Sequence, residues 1–396
     1  MTHKQVTTET LVDTIFPVKT RIRLALVWAV VLAFYLWGNN FLGANLNLLT
    51  AAVLFGLLLF TIIAAAFGVV KEADELAHKL GEPYGTLILT LSIVSIEVIL
   101  IAAVMLGPGE MATIGKDSIF SVMMIILNLV MGICLLAGGL KYGDQAYNAQ
   151  GTLTYMAMII MLGGIALMLP NFVQGAGNGI FTSTQAVFIA GSVVVLYAFF
   201  LFFQTTKYSY LFIQPKSGAM EISYAERLAD LKNVRNSKQL RHAGQKKEIW
   251  LRSLILVAMI LPIVLLSHNM AVVVDYGIAT AQLPLQLGGI IIAVIVFTPE
   301  SMTAVKATLN NELQRTINLS HGAFVSTVGL TVPAVLAIGL ISGKTVQLGL
   351  SPTETLLFMV TLVLSMITFM GKRTSPFLGI MHLLLFVLFI VLVFNP

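Results

Sequence analysis

Long apolar runs separated by short polar connections dominate the chain. Leu24 to Trp37, Leu46 to Val70, Leu87 to Val104 and Pro376 to Phe394 carry almost no charge. Each reaches or approaches the roughly 20 residues that a helix needs to cross a bilayer. Apolar length, bounding charges and Gly/Pro punctuation predict eleven spans, at 24–43, 46–70, 85–106, 117–140, 152–170, 185–204, 249–269, 283–305, 322–342, 353–371 and 375–395. The expected fold class is an all-α membrane protein of about eleven transmembrane helices.

The longest connection, 205–248, holds nine basic and four acidic residues and divides six spans from five. It reads as a basic cytoplasmic linker. Its segment Glu221 to Leu240 is compatible with a helix lying on the inner leaflet, where anionic lipid attracts about 1 kcal/mol per basic residue. A solvated loop that only fixes topology is the alternative. With the N-terminus cytoplasmic the C-terminus lies outside, and only Lys116 and Lys344 fall on the outer side, as an excess of positive charge on inner loops requires.

Spans two to six and seven to eleven each number five, which puts equivalent helices in opposite orientation, the arrangement of an inverted repeat. The expected divisions are 1–45 for the N-terminal segment and first helix, 46–204 for the first five-helix repeat, 205–248 for the linker and 249–396 for the second repeat. Gly85 stands twelve residues before Glu97, and Gly288 twelve before Glu300. Ser118-Ile-Phe-Ser121 and Ala323-Phe-Val-Ser326 occupy similar places in the following span of each half.

Composition agrees with the pattern. At 58% hydrophobic and 10% charged residues over 396 positions, there is too little polar surface to coat a soluble globule. The net charge of +5 belongs to the inner loops, so no nucleic-acid partner is expected. The single cysteine, Cys134, allows no internal disulfide. Met1 to Arg23 is polar, with no small-residue cleavage site after the first apolar run, so a retained first helix is expected. No His-Glu-x-x-His, Gly-x-Ser-x-Gly or Gly-x-x-x-x-Gly-Lys run occurs, which argues against enzymatic or ATP-driven chemistry.

Two acids interrupt the apolar spans. Glu97 lies near the middle of the third span with no basic residue within a helical turn. An ionised carboxylate there costs at least about 2.5–3.5 kcal/mol, so it must be protonated, paired with a cation or hydrated. Burial disfavours a charged carboxyl and an arriving cation favours it, so proton and cation compete for the same oxygens. A protonated glutamate that ties two helices together is the bland alternative.

Glu300 lies six residues before Lys306 and could snorkel to the inner interface. Against that, Pro299 removes the hydrogen bond to the Ile295 carbonyl, and freed carbonyls in broken membrane helices line ion sites. If the helix continues, Thr303, Asn310, Asn311 and Gln314 share its stripe and make a polar track toward the cytoplasm. An ordinary polar helix end is the alternative from Asn310 onward.

On the other helix Thr90 shares the Glu97 face. Asn128, His321 and His382 read first as packing hydrogen bonds between helices. Glu72, Asp74, Glu75 and Glu82 read as a solvated amphipathic helix.

Two stretches carry a family resemblance. Leu76-Ala-His-Lys-Leu-Gly-Glu-Pro-Tyr-Gly-Thr-Leu-Ile-Leu-Thr-Leu-Ser92, with Glu97, and Thr298-Pro-Glu-Ser-Met-Thr-Ala-Val-Lys-Ala-Thr-Leu-Asn-Asn-Glu-Leu-Gln-Arg315 resemble the two repeat signatures of the calcium/cation antiporter superfamily. More narrowly, they are similar to the ChaA-type bacterial antiporters of the cation/proton exchanger family, over about residues 20–395. The resemblance implies an eleven-span inverted-repeat fold in the bacterial inner membrane, with one acidic residue per repeat at the positions of Glu97 and Glu300. Some relatives carry an acidic helix between the halves, where this chain is basic.

The function expected is exchange of cytoplasmic Ca2+, and of Na+ or K+, for external protons by alternating access at these two glutamates. A passive cation channel and a non-transporting scaffold are the competing classes. A calcium ion wants about six to eight oxygens, for which Thr90, Ser121, Thr298, Thr303 and Ser326 are candidate supporting ligands. No resident cofactor is expected, the lipid bilayer is the expected surrounding, and a homo-oligomer is left open.

Overall fold

The computed structural model describes residues 16–42, 46–80, 84–107, 111–175, 179–214, 245–371 and 373–395. These residues are helical, with no strand among them. The linker segment Glu221 to Leu240 and the loop acid Glu82 lie outside the described residues.

The helices are α1 (Val18–Leu42), α2 (Leu48–Leu80), α3 (Tyr84–Met105), α4 (Ile114–Tyr142), α5 (Ala149–Asn171), α6 (Ser183–Thr205), α7 (Gln245–Ala281), α8 (Gln286–Leu309), α9 (Leu313–Ser342), α10 (Pro352–Met370) and α11 (Pro376–Phe394). Ten of them are long and apolar enough among the described residues to cross a membrane, α3 contributing the shorter apolar stretch Thr90–Met105. Starts are set by local chemistry. Thr182 and Ser351 each accept from the backbone three residues on and form capping boxes with Gln185 and Glu354, satisfying N–H groups that a first turn leaves open.

Several helices outrun their apolar cores. α2 extends through Leu80 where the span was expected to end near 70, and α9 begins at Leu313 where it was expected near 322. The α2 extension is amphipathic as expected, but not simply solvated. Glu72 is fully buried, Arg252 of α7 donates to it at 3.1 Å, and the same guanidinium reaches Glu75 at 3.3 Å and Glu248 at 3.2 Å. Lys79 adds a bond to Glu248 at 3.1 Å. This network ties the C-terminal end of α2 to the N-terminal end of α7, two helices that pack along each other.

At the opposite end Lys116, expected in the outer loop, is buried in α4. Its ammonium lies 2.8 Å from Glu354 at the start of α10 and 3.3 Å from Asp117. Two acids share that one ammonium, which balances a single negative charge.

Three helices change their winding. α4 is π-helical over Met124–Val130, α5 over Gly164–Met168 and α9 over Thr327–Thr331. The packing of the first and third follows the inverted repeat. α3 of the first half packs on the π segment of α9, and α8 of the second half packs on the π segment of α4.

Candidate functional site

Glu97 projects from α3 and is fully buried. Its Oε2 accepts hydrogen bonds from Thr327 Oγ1 at 2.9 Å and Thr331 Oγ1 at 3.1 Å. Both threonines lie in the π segment of α9 and are fully buried. A π turn takes more residues than an α turn, so side chains four apart stand nearly above one another. That winding lets one carboxyl oxygen receive both hydroxyls. The other oxygen, Oε1, has no hydrogen-bond partner.

Glu300 projects from α8 one residue after Pro299. Its Oε2 is buried, with no hydrogen-bond partner among the described residues. The proline lacks an N–H, so it leaves the carbonyl of buried Ile295 without its helical donor. Thr303 Oγ1 donates to the Pro299 carbonyl at 3.0 Å, and Thr298 Oγ1 to the Val294 carbonyl at 2.5 Å.

A cavity of about 520 Å³ reaches Glu300. Its deep wall includes Thr90, Gly322 and Ser326, and its other end is bounded by Thr205, Ser209 and Arg315, beside the basic connections. Tyr155 and Gln204 also line it and are joined by a 2.6 Å bond between Gln204 Nε2 and the phenol oxygen. Glu300 therefore faces the cavity instead of snorkelling to the surface.

The candidate ligands divide. Thr90 and Ser326 share the cavity with Glu300, although Ser326 Oγ donates to the Ala323 carbonyl at 2.7 Å. Ser121 lines a separate cavity of about 210 Å³ with Asp117 and Glu354. The polar stripe beyond Lys306 does not form, because α8 ends at Leu309. Asn311 takes a positive φ of 63° in the turn and accepts from Gln145 Nε2 at 2.9 Å, while Asn310 caps α8 by donating its backbone N–H to Ala307. Gln314 opens α9, where its side chain accepts from the Asn148 backbone at 2.7 Å and donates to Asn318 at 2.9 Å.

Thr327 and Thr331 were not singled out by sequence, yet the repeat carried the signal. The interval that separates Gly85 from Gly288 and Glu97 from Glu300 also separates Met124 from Thr327, Asn128 from Thr331 and Lys141 from Lys344. The alignment of Ser121 with Ser326 is two residues out of that register. Among the described residues no cluster of three or more His, Cys, Asp or Glu side chains could hold a metal ion, so a cation at this site would take two carboxylates with neutral oxygens.

The buried polar residues of α4, α10 and α11 form a second group. Asn128 Nδ2 donates to Thr361 Oγ1 at 3.0 Å and to Met124 Sδ at 3.5 Å, while its Oδ1 lies 3.0 Å from His382 Nδ1. His382 Nε2 lies 3.1 Å from Thr368 Oγ1. These are the expected interhelical packing bonds. His321 instead packs its ring against Tyr155 and Phe369, and neither nitrogen has a side-chain partner.

Comparison with known proteins gives a consistent picture. A family model described as sodium/calcium exchanger protein matches residues 50–206 and 252–395. The chain is 33% identical over 381 residues to the sodium-potassium/proton antiporter ChaA of Escherichia coli, covering 96% of this chain and 95% of that protein. It is 23% identical over 296 residues to a Ca2+/H+ antiporter of Aphanothece halophytica, covering 74% and 76% of the two chains. Among solved structures, native YfkE superimposes with a TM-score of 0.70 at 18% identity, covering 94% of this chain and 100% of the other. The H+/Ca2+ exchanger CAX gives 0.67 at 13% identity, with 94% and 89% covered. The protein is thus a multi-pass membrane antiporter, and the chain belongs to the sodium/calcium exchanger protein family.

Proposed function

We propose that the protein exchanges cytoplasmic cations, Ca2+ and also Na+ or K+, for external protons at one central site built on Glu97 and Glu300. The reading rests on Glu97, a fully buried carboxyl whose hydrogen-bond partners among the described residues are two neutral hydroxyls. Such a group is balanced by a cation or neutralised by a proton. In this reading Glu300, which lines the cavity and whose Oε2 is buried, is the second carboxyl of the site, and together the two balance one divalent charge.

In this reading the cavity at Glu300 is the entry from the cytoplasm, because its lining runs to Thr205, Ser209 and Arg315, beside the basic connections. The N-terminus is then cytoplasmic and the C-terminus outside. A cation entering through the cavity exchanges water for carboxylate and hydroxyl oxygens and displaces protons. Closure of the cavity and opening on the other side release it where external protons reclaim the carboxyls. Under an inwardly directed proton gradient the net direction is cation extrusion.

The test is proton movement out of acid-loaded vesicles containing the purified protein, on external addition of calcium, sodium or potassium separately. Proton exit that follows the added cation is expected. Cation uptake without proton exit would remove the antiport reading.

A further inference from the structure

The two halves of the site are unequal, and the inequality bears on which cation it takes. Pseudo-symmetry pairs Glu97 with the π segment of α9 and Glu300 with the π segment of α4. In α9 the two repeat-related positions are Thr327 and Thr331, and both hydroxyls reach Glu97. In α4 the same positions are Met124 and Asn128. Neither donates to Glu300 Oε2, which has no hydrogen-bond partner among the described residues.

The polar atoms of Met124 and Asn128 are committed elsewhere. Asn128 bonds to Thr361 and faces His382, and the Met124 thioether accepts from Asn128 and, at 3.7 Å, from Thr361 Oγ1. Met124, Asn128 and Thr361 are all fully buried and His382 likewise, so no solvent competes for these bonds. The π segment of α4 therefore turns its polarity toward α10 and α11.

We propose that Met124 and Asn128 are specificity-determining residues that deny the Glu300 half of the site the hydroxyl pair that serves Glu97 and so bias exchange toward Na+ or K+ over Ca2+. This rests on the two-glutamate reading and narrows its substrate class. Calcium is a hard cation that takes about six to eight oxygens. A thioether is a soft ligand and a poor substitute for an oxygen. The two carboxyls with Thr327 and Thr331 offer six side-chain oxygens when both carboxylates bind through both oxygens, and the Glu300 side adds the Ile295 carbonyl and the cavity hydroxyls of Thr90 and Ser326 in place of a matched hydroxyl pair. A monovalent ion makes the weaker demand. It can sit on the Glu97 half with its two hydroxyls while Glu300 carries a proton, so the site charge stays balanced with one cation and one proton.

The experiment compares wild type with Met124→Thr, which places a hydroxyl where the symmetric half has Thr327. Purified full-length protein in acid-loaded vesicles is given sodium, potassium or calcium, and the rate of proton exit is read as kcat/KM for each ion. Wild type is expected to favour sodium or potassium over calcium. The variant is expected to raise the calcium-to-sodium ratio of kcat/KM by about tenfold, the scale on which one ligating group discriminates. Met124→Ser serves the same comparison if the threonine variant does not purify as a folded protein, and the wild-type ion ratio stands as an independent reading. Calcium exchange by wild type at least as efficient as sodium exchange, or an unchanged ratio in the folded variant, overturns the inference while leaving antiport intact. Absence of proton exit with every cation would instead overturn the antiport reading itself.

Discussion

Thr327 of α9 donates its hydroxyl to Glu97 of α3 across 2.9 Å, joining residues from opposite halves of the inverted repeat. Thr331 repeats the contact one π turn on, at 3.1 Å. The proposed site would therefore draw its shell from both halves, so a movement of one against the other would change it.

That relationship predicts the effect of Thr327→Val, which preserves shape and removes the hydroxyl. A hydrogen bond to a charged group contributes about 1.5–3 kcal/mol, so KM for the cation should rise roughly tenfold or more. The sign follows from competition: without the donor, the proton gains on the cation at Glu97. The increase should shrink at alkaline pH, where protons no longer compete. Initial rates of proton exit at several pH values, in vesicles normalised for inserted protein, check both statements.

Proton competition also sets the pH profile of the native protein. Cation binding releases protons from its ligands, so lowering cytoplasmic-side pH should raise the apparent KM for the cation. When the protonated form predominates, the increase is about tenfold per pH unit for each proton displaced. An apparent KM constant over two pH units would show that proton and cation do not share oxygens.

Much of the fold was legible because a lipid-facing helix must be apolar for a bilayer's thickness, and long uncharged runs have few other readings. The ends were less legible. The first turns of α9 lie before the expected start at 322, yet Gln314, Thr316 and Ser320 there are buried and Gln314 is bonded to Asn148 and Asn318. The π segment Met124–Val130 was invisible, since its apolar composition suits an α-helix equally well. Glu97 was legible from its setting alone. Its threonine partners were not, because 230 or more residues separate them in sequence and only the repeat register connects them.

Pro299 should trade stability against activity. Pro299→Ala restores an N–H opposite the Ile295 carbonyl and removes a helix-interior proline, a change worth up to about 3 kcal/mol in favour of a regular helix. The variant should melt at higher temperature in detergent and transport more slowly, as the carbonyl beside Glu300 is taken up by the helix. Faster transport with unchanged melting would contradict that role.

The inner network predicts unequal costs for its members. Arg252→Ala leaves Glu72 buried without its guanidinium, at a cost of about 3–5 kcal/mol. Glu75, whose side chain is 43% exposed, contributes about 1 kcal/mol or less as a screened surface ion pair. Thermal unfolding of purified Arg252→Ala and Glu75→Ala should therefore show a large drop for the first and a small one for the second.

The most direct test of the central claim is cation-driven proton exit from vesicles containing wild type, Glu97→Gln or Glu300→Gln, each confirmed as inserted and folded. Both substitutions keep the side-chain size and remove the exchangeable charge. Proton exit should follow the added cation in wild type and vanish in both variants. Exchange at the wild-type rate in either variant would contradict a site built on these two carboxyls.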